Sequence, residues 1–156
     1  FTPKSLLRTR DSFGAVADIA GGSFHPVLDD ARDGARRVVL CAGKVFYDLD
    51  AARSEQGTEN IALVRIEQLH PFPEHELVEV LGRYPQAQEI VWCQEEPKNQ
   101  GAWYQIRHHL QACISKRHEL KYVGRPHSAS PAVGSYVVHV EEQQALVNEA
   151  ILPTSE

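Results

Sequence analysis

The chain has 156 residues, 42% hydrophobic and 24% charged, with 16 Lys and Arg against 21 Asp and Glu and a formal net charge of −5. That length suits one domain with a buried core and an ordinary globular composition. The acidic balance and scattered cations exclude the basic stripe of a nucleic-acid binder, and no apolar run is long enough for a membrane-spanning helix.

Residues 1–34 read as a lead-in arm or linker from a preceding domain. FTPKSLLRTRDSFG has closely spaced cations without sustained periodicity, and AVADIAGGSF makes at most two helical turns before Gly21-Gly22 stops them. It lacks the charged-then-apolar layout of a signal peptide. The chain contains no methionine and begins with Phe1, so either something has been removed from it or it is a piece of a longer polypeptide.

Residues 35–156 then form one α/β domain. RVVLCA (37–42) is a short continuous apolar run, the pattern of a strand buried on both faces. KVFYDLDAARSEQG (44–57) carries Val45, Leu49 and Ala52 at helical spacing, with Gly57 as a stop. IALVRI (61–66) is a second strand. PFPEHELVEVLGRY (71–84) opens a helix with prolines and acids in its first turn, where the helix dipole favours them, and stacks Leu77, Val80 and Leu81 on one face. EIVWCQ (89–94) is a third strand, AWYQIRHHLQACIS (102–115) a helix and LKYVG (120–124) a fourth strand. YVVHVEEQQALVNEAI (136–151) is the last helix, with Val140, Ala145, Leu146 and Ala150 predicted to face inward. This alternation predicts a mostly parallel sheet with right-handed crossover helices, and functional loops beyond the carboxyl ends of the strands.

The loops offer few catalytic patterns. AGK (42–44) lacks the spacing of a phosphate loop; Gly43 reads as a turn residue, with Lys44 as an alternative anion contact. Glu95 and Glu96 are adjacent on an extended segment, so their carboxylates point apart and need not converge on one substrate. Pro97, Asn99 and Gly101 are turn chemistry, and Asn99 and Gln100 are suited to cross-linking loops. His108 and His109 diverge on a helix, while His70 and His75 have no third ligand at metal-site spacing. Ser128, Ser130 and His127 lack a nucleophile elbow, so a hydrolase is the least favoured reading. Arg125 could hold a carboxylate or phosphate bidentately, or pair with Glu95 or Glu96. Cys41, Cys93 and Cys113 are odd in number and widely spaced, which argues against disulfides or structural zinc and for a reducing compartment. Cys41 and Cys93, in apolar runs, read as buried inert thiols.

CAGKVFYDL (41–49), VRIEQLHPFP (64–73), WCQEEPKNQGAW (92–103) and GRPHSASPAVG (124–134) together resemble the C-terminal end of the bacterial decarboxylating component of 2-oxoglutarate dehydrogenase complexes. FTPKSLLR resembles the segment leading in from the preceding domain. The resemblance implies a transketolase C-terminal-domain-like fold and a dimeric, cytoplasmic citric acid cycle oxidoreductase using thiamin diphosphate and Mg2+. That enzyme decarboxylates 2-oxoglutarate and succinylates the lipoyl group of its dihydrolipoyl succinyltransferase partner. In the family, cofactor and metal are bound mainly by earlier domains, and no G-D-G followed by N-N occurs here. The expected role is therefore assembly without catalysis: Glu95, Glu96, Asn99, Gln100 and Trp103 would pack against the preceding domain or a second subunit. Some relatives bind acetyl coenzyme A or AMP, for which Lys44 and Arg125 are the candidate phosphate contacts. A free-standing α/β module binding a nucleotide or a protein is the competing reading.

Overall fold

The computed structural model describes residues 3–152. Four strands, β2 (Arg37–Cys41), β3 (Ile61–Ile66), β4 (Glu89–Gln94) and β5 (Glu119–Gly124), form a parallel sheet. A further strand that the sequence pattern does not reveal, β1 (Val27–Leu28), pairs antiparallel with β3 at the edge, giving the order β1-β3-β2-β4-β5. Two residues are too few to show a period, which is why β1 is invisible in the sequence.

The helices are α1 (Val16–Gly21), α2 (Val45–Gln56), α3 (Glu74–Gly82), α4 (Trp103–Cys113) and α5 (Tyr136–Ile151). Strand side chains alternate between two layers. Val38, Leu40, Ile90 and Trp92 pack with Leu77, Leu81, Ile106 and Leu110 of α3 and α4. Val39, Cys41, Val91 and Cys93 pack with Leu49 of α2 and with Leu146, Val147, Ala150 and Ile151 of α5. Both faces of β2 and β4 are covered, which accounts for their continuous apolar runs.

Helix ends follow local chemistry. Gly57 adopts φ 62° after α2, and Thr58 N–H donates to the Arg53 carbonyl (3.2 Å), a left-handed stop suited to glycine. At the amino end of the sheet, Glu89 accepts from Arg37 Nε (2.8 Å) and pairs with Lys121; Arg37 Nη1 also donates to the Ala150 carbonyl (3.1 Å) at the end of α5. One buried ion-pair group thus joins three strands to a helix C-terminus.

The segment entering the domain is tied to both layers. Asp29 accepts from Arg83 (2.9 Å) and from the Tyr84 hydroxyl, beside α3, while Asp30 accepts from the Leu63 N–H (3.1 Å) and pairs with Arg53 of α2. Adjacent residues of an extended chain point to opposite sides, so two aspartates bind two layers.

The last helix departs from its predicted packing. Val140 and Ala145 are exposed, whereas Val147 (3% exposed) and Ile151 (0%) join Leu146 and Ala150 in the core. Gln143 meets Asp48 in the first turn of α2, and Gln56 at the end of α2 meets Asn148. The two helices therefore run in the same direction, and about the first turn of α5 lies beyond the start of α2. Periodicity identifies a face, but only the sheet's extent decides how much of it is covered.

Candidate functional site

The strand order reverses between β2 and β4, where α/β sheets of this kind open a crevice at the carboxyl ends of the strands. The loop after β2 carries Lys44, and the loop after β4 carries Glu95. Here they meet: Lys44 Nζ lies 2.8 Å from Glu95 Oε1 and 3.1 Å from Asp48 Oδ2. Gln143 Nε2 donates to Asp48 Oδ2 (2.8 Å) and Glu95 Oε1 (3.2 Å), bringing α5 into the same group. Burial opposes the charge on Lys44, but hydrogen bonds and attraction from Glu95 and Asp48 outweigh it and raise the Lys44 pKa.

Arg125, one residue beyond β5, closes the other side. Its Nε donates to Glu142 (2.9 Å), Nη1 to the Glu95 carbonyl, and Nη2 to Gln143 Oε1 (3.0 Å) and the His139 carbonyl (3.4 Å). Only 10% of its side chain is exposed. The fork joins the β4 and β5 loops to α5, and the carboxylate it takes is Glu142. From Glu95 it takes the backbone oxygen.

The corner WCQEEPKNQGAW is organised by Gln94, a buried amide at the end of β4. Its Oε1 accepts from Trp92 Nε1 (2.9 Å) and from the Trp103 N–H (3.0 Å), and its Nε2 donates to the carbonyls of Glu96 (3.2 Å) and Pro97 (3.3 Å). Both lone pairs of its oxygen and both of its N–H groups are thus engaged in holding the corner. A Cβ on Gly101 would stand 2.2 Å from Gln94 Nε2, so glycine is what lets the turn close over the amide.

The predicted cluster residues divide by position. Glu95 is half-buried in the ion-pair group, while Glu96 is exposed. Asn99 makes a reciprocal pair with Ser128, donating to its carbonyl (2.9 Å) and accepting from its N–H (3.0 Å); Gln100 donates to the same carbonyl (2.8 Å). Trp103 opens α4, half-buried against Tyr122, with ring centroids 5.2 Å apart. Lys44 and Arg125 both border Glu95, but each is held by protein oxygens. Ser128 Oγ accepts from the Ser130 N–H, Ser130 Oγ donates to the Ala132 carbonyl, and His127 lies against Tyr104. His109 stacks on Phe72 and bonds Glu74.

Asp48, Gln94, His139, Glu142 and Gln143 complete the site without a motif of their own. Gln94 alone leaves a trace in the sequence, as an amide ending an apolar strand. The others arrive by packing of α2 and α5.

Strand order, crossover helices and four loops at one end define a transketolase C-terminal-domain-like α/β unit. A solved structure titled "Split gene transketolase, inactive beta4 tetramer" shares this fold with a TM-score of 0.56 at 16% identity, covering 82% of this chain and 43% of that one. Residues 14–151 match the family described as "2-oxoglutarate dehydrogenase C-terminal", and the chain belongs to that family. It is 50% identical over 156 residues to the 2-oxoglutarate dehydrogenase E1 component of Azotobacter vinelandii and 46% identical over 153 residues to that of Cupriavidus necator. Each alignment covers 96% of this chain and 16% of the relative, so the chain spans about a sixth of those proteins.

Proposed function

We propose that this chain serves as the C-terminal assembly domain of a bacterial, cytoplasmic, homodimeric 2-oxoglutarate dehydrogenase. That enzyme would decarboxylate 2-oxoglutarate with thiamin diphosphate and Mg2+ and pass the succinyl group to a dihydrolipoyl succinyltransferase. The single observation that carries the assembly role is the filled switch-point crevice: Lys44, Glu95, Asp48, Gln143 and Arg125 satisfy one another there. Such a crevice is a braced platform and has no free acid, base or nucleophile converging on a substrate.

The described residues do not fit a magnesium diphosphate. No group of three His, Cys, Asp or Glu among them is placed to hold a metal, and Lys44 and Arg125 are already paired with carboxylates. The chemistry therefore belongs to other parts of the polypeptide. The role of this domain is to hold them, with the exposed Glu96, Asn99 and Gln100 and the half-buried Trp103 as contacts to the preceding domain or second subunit. A phosphate of acetyl coenzyme A or AMP would reach Lys44 and Arg125 by exchange with Glu95, Asp48 and Glu142. Calorimetric titration of the domain tests that exchange, and absence of heat removes it.

The experiment is made in the full-length enzyme. Trp103→Ala is expected to weaken the dimer in sedimentation at low concentration, while the 156-residue chain supplied with thiamin diphosphate, Mg2+ and 2-oxoglutarate releases no CO2. An unaltered dimer in the first experiment, or turnover in the second, overturns this assignment.

A further inference from the structure

Two thiols occupy one cross-strand pair of the parallel sheet. Cys41, the last residue of β2, stands in register with Cys93 of β4. Their side chains enter the same layer, with Leu49 and Leu146, and both residues are 0% exposed. Cys113 belongs to the opposite layer, where its thiol bonds the Glu74 carbonyl, so the sheet separates it from the pair. The two cysteines lie far apart in the sequence and share no motif; strand order alone brings them together.

Neighbouring strands stand about 4.8 Å apart, which places directly opposed Cα atoms inside the range of about 4.4–6.8 Å that a disulfide spans. A disulfide prefers its Cβ atoms about 3.5–4.5 Å apart, so closing one here draws the strand ends together slightly and leaves it easily reduced. The bond adds no atom to the core. Just beyond the pair in both strands, the loops are joined by Lys44 and Glu95 (2.8 Å). Burial, and then the neighbouring Cys93, raise the Cys41 pKa. Thiolate is therefore scarce in the closed sheet, and reaction waits for those loops to part.

We infer that Cys41 and Cys93 are a reversible redox pair: a two-electron thiol oxidant closes them to a disulfide, which locks together the ends of β2 and β4 and the loops that carry Lys44 and Glu95. With the azo compound diamide, one thiolate adds to a nitrogen of the N=N bond and the other nitrogen takes up a proton. The second thiolate attacks the bound sulfur, forming S–S and breaking S–N, and the released nitrogen takes the second proton. Both thiols are oxidised and the azo compound leaves as the hydrazine. The inference rests on the register of the sheet and not on the enzymatic assignment.

The test uses the full-length enzyme carrying this domain, held with diamide in mildly alkaline solution without denaturant, then quenched at acidic pH with N-ethylmaleimide and urea and digested with trypsin. The peptide Val38–Lys44 is expected to emerge joined to Tyr84–Lys98, and dithiothreitol to separate the two. Glu95→Ala, which removes the ion pair joining the loops, is expected to speed the closure by about threefold or more, with labelling of Cys113 unchanged. Should that variant fold poorly, as circular dichroism reports, the link in the parent enzyme still decides. Recovery of both peptides as maleimide adducts, linkage of either to Cys113, a link that needs denaturant, or a closure rate indifferent to Glu95→Ala in a folded variant overturns the inference. None of these outcomes bears on the effect of Trp103→Ala on the dimer.

Discussion

Gln94 shows how much one buried amide can organise. It bonds two tryptophan N–H groups and two turn carbonyls, so replacing it with leucine leaves several buried polar groups without partners. Gln94→Leu is expected to cost about 2–4 kcal/mol in urea unfolding, and Gly101→Ala to lose a similar amount by pushing the amide from its partners. Glu89 gives a residue-level pH effect. Burial raises its pKa, but Lys121 and Arg37 outweigh that and hold it below the usual carboxylate value. A folded-state pKa below the unfolded one stabilises the fold above the unfolded value, about 4.3, and this contribution fades as pH falls through the folded value. Glu89→Gln should therefore be destabilised at neutral pH, and the stabilities of variant and parent should converge as the solution is acidified below about pH 4. Chemical denaturation across that range measures it.

At the level of elements, β1 is the informative case. A two-residue edge strand adds little by its own ladder, and what anchors it is the pair Asp29 and Asp30, reaching α3 and α2. Asp30→Ala removes the acceptor of the Leu63 N–H and leaves Arg53 with only Asp50 and the Ile61 carbonyl. The expected loss is about 2–4 kcal/mol, with faster hydrogen exchange in β1 and at Leu63 while α4 and β5 keep their protection. Equal loss of protection in all strands would show instead that this edge is inseparable from the core. The short spacing of strands and helices made β2 to β5 and the four main helices legible, because each is long enough to show its period. β1 had no period to show. The outward turn of Val140 was hidden because residues on one helical stripe look alike whether or not a sheet lies beneath them.

Across the whole molecule, the thiols report on how complete the core is. Cys41 and Cys93 face each other on β2 and β4. Burial pushes both thiols up, that of Cys93 to about 12, and the half-buried Cys113 to about 11, with Glu74 adding to the burial effect. In the native chain a thiol reagent at neutral pH should modify Cys113 slowly and the other two only on unfolding, so two of the three thiols titrate with the loss of structure. Fast native labelling of Cys93 would mean that the crevice opens between the β2 and β4 loops. Such opening would also free Lys44 and Glu95 from each other.

The sequence by itself determined the alternation of strands and helices, the α/β class and, through four loop motifs, the family. These are local or ordered-along-the-chain properties, carried by period, turn chemistry and spacing. Only the tertiary structure decided that Arg125 takes Glu142, that Lys44 and Glu95 meet across the reversal of strand order, and that α5 outruns the sheet. Each of those depends on distances between segments far apart in the chain, set by the packing of α2 and α5 on a sheet of finite size, and no one-dimensional pattern encodes that length.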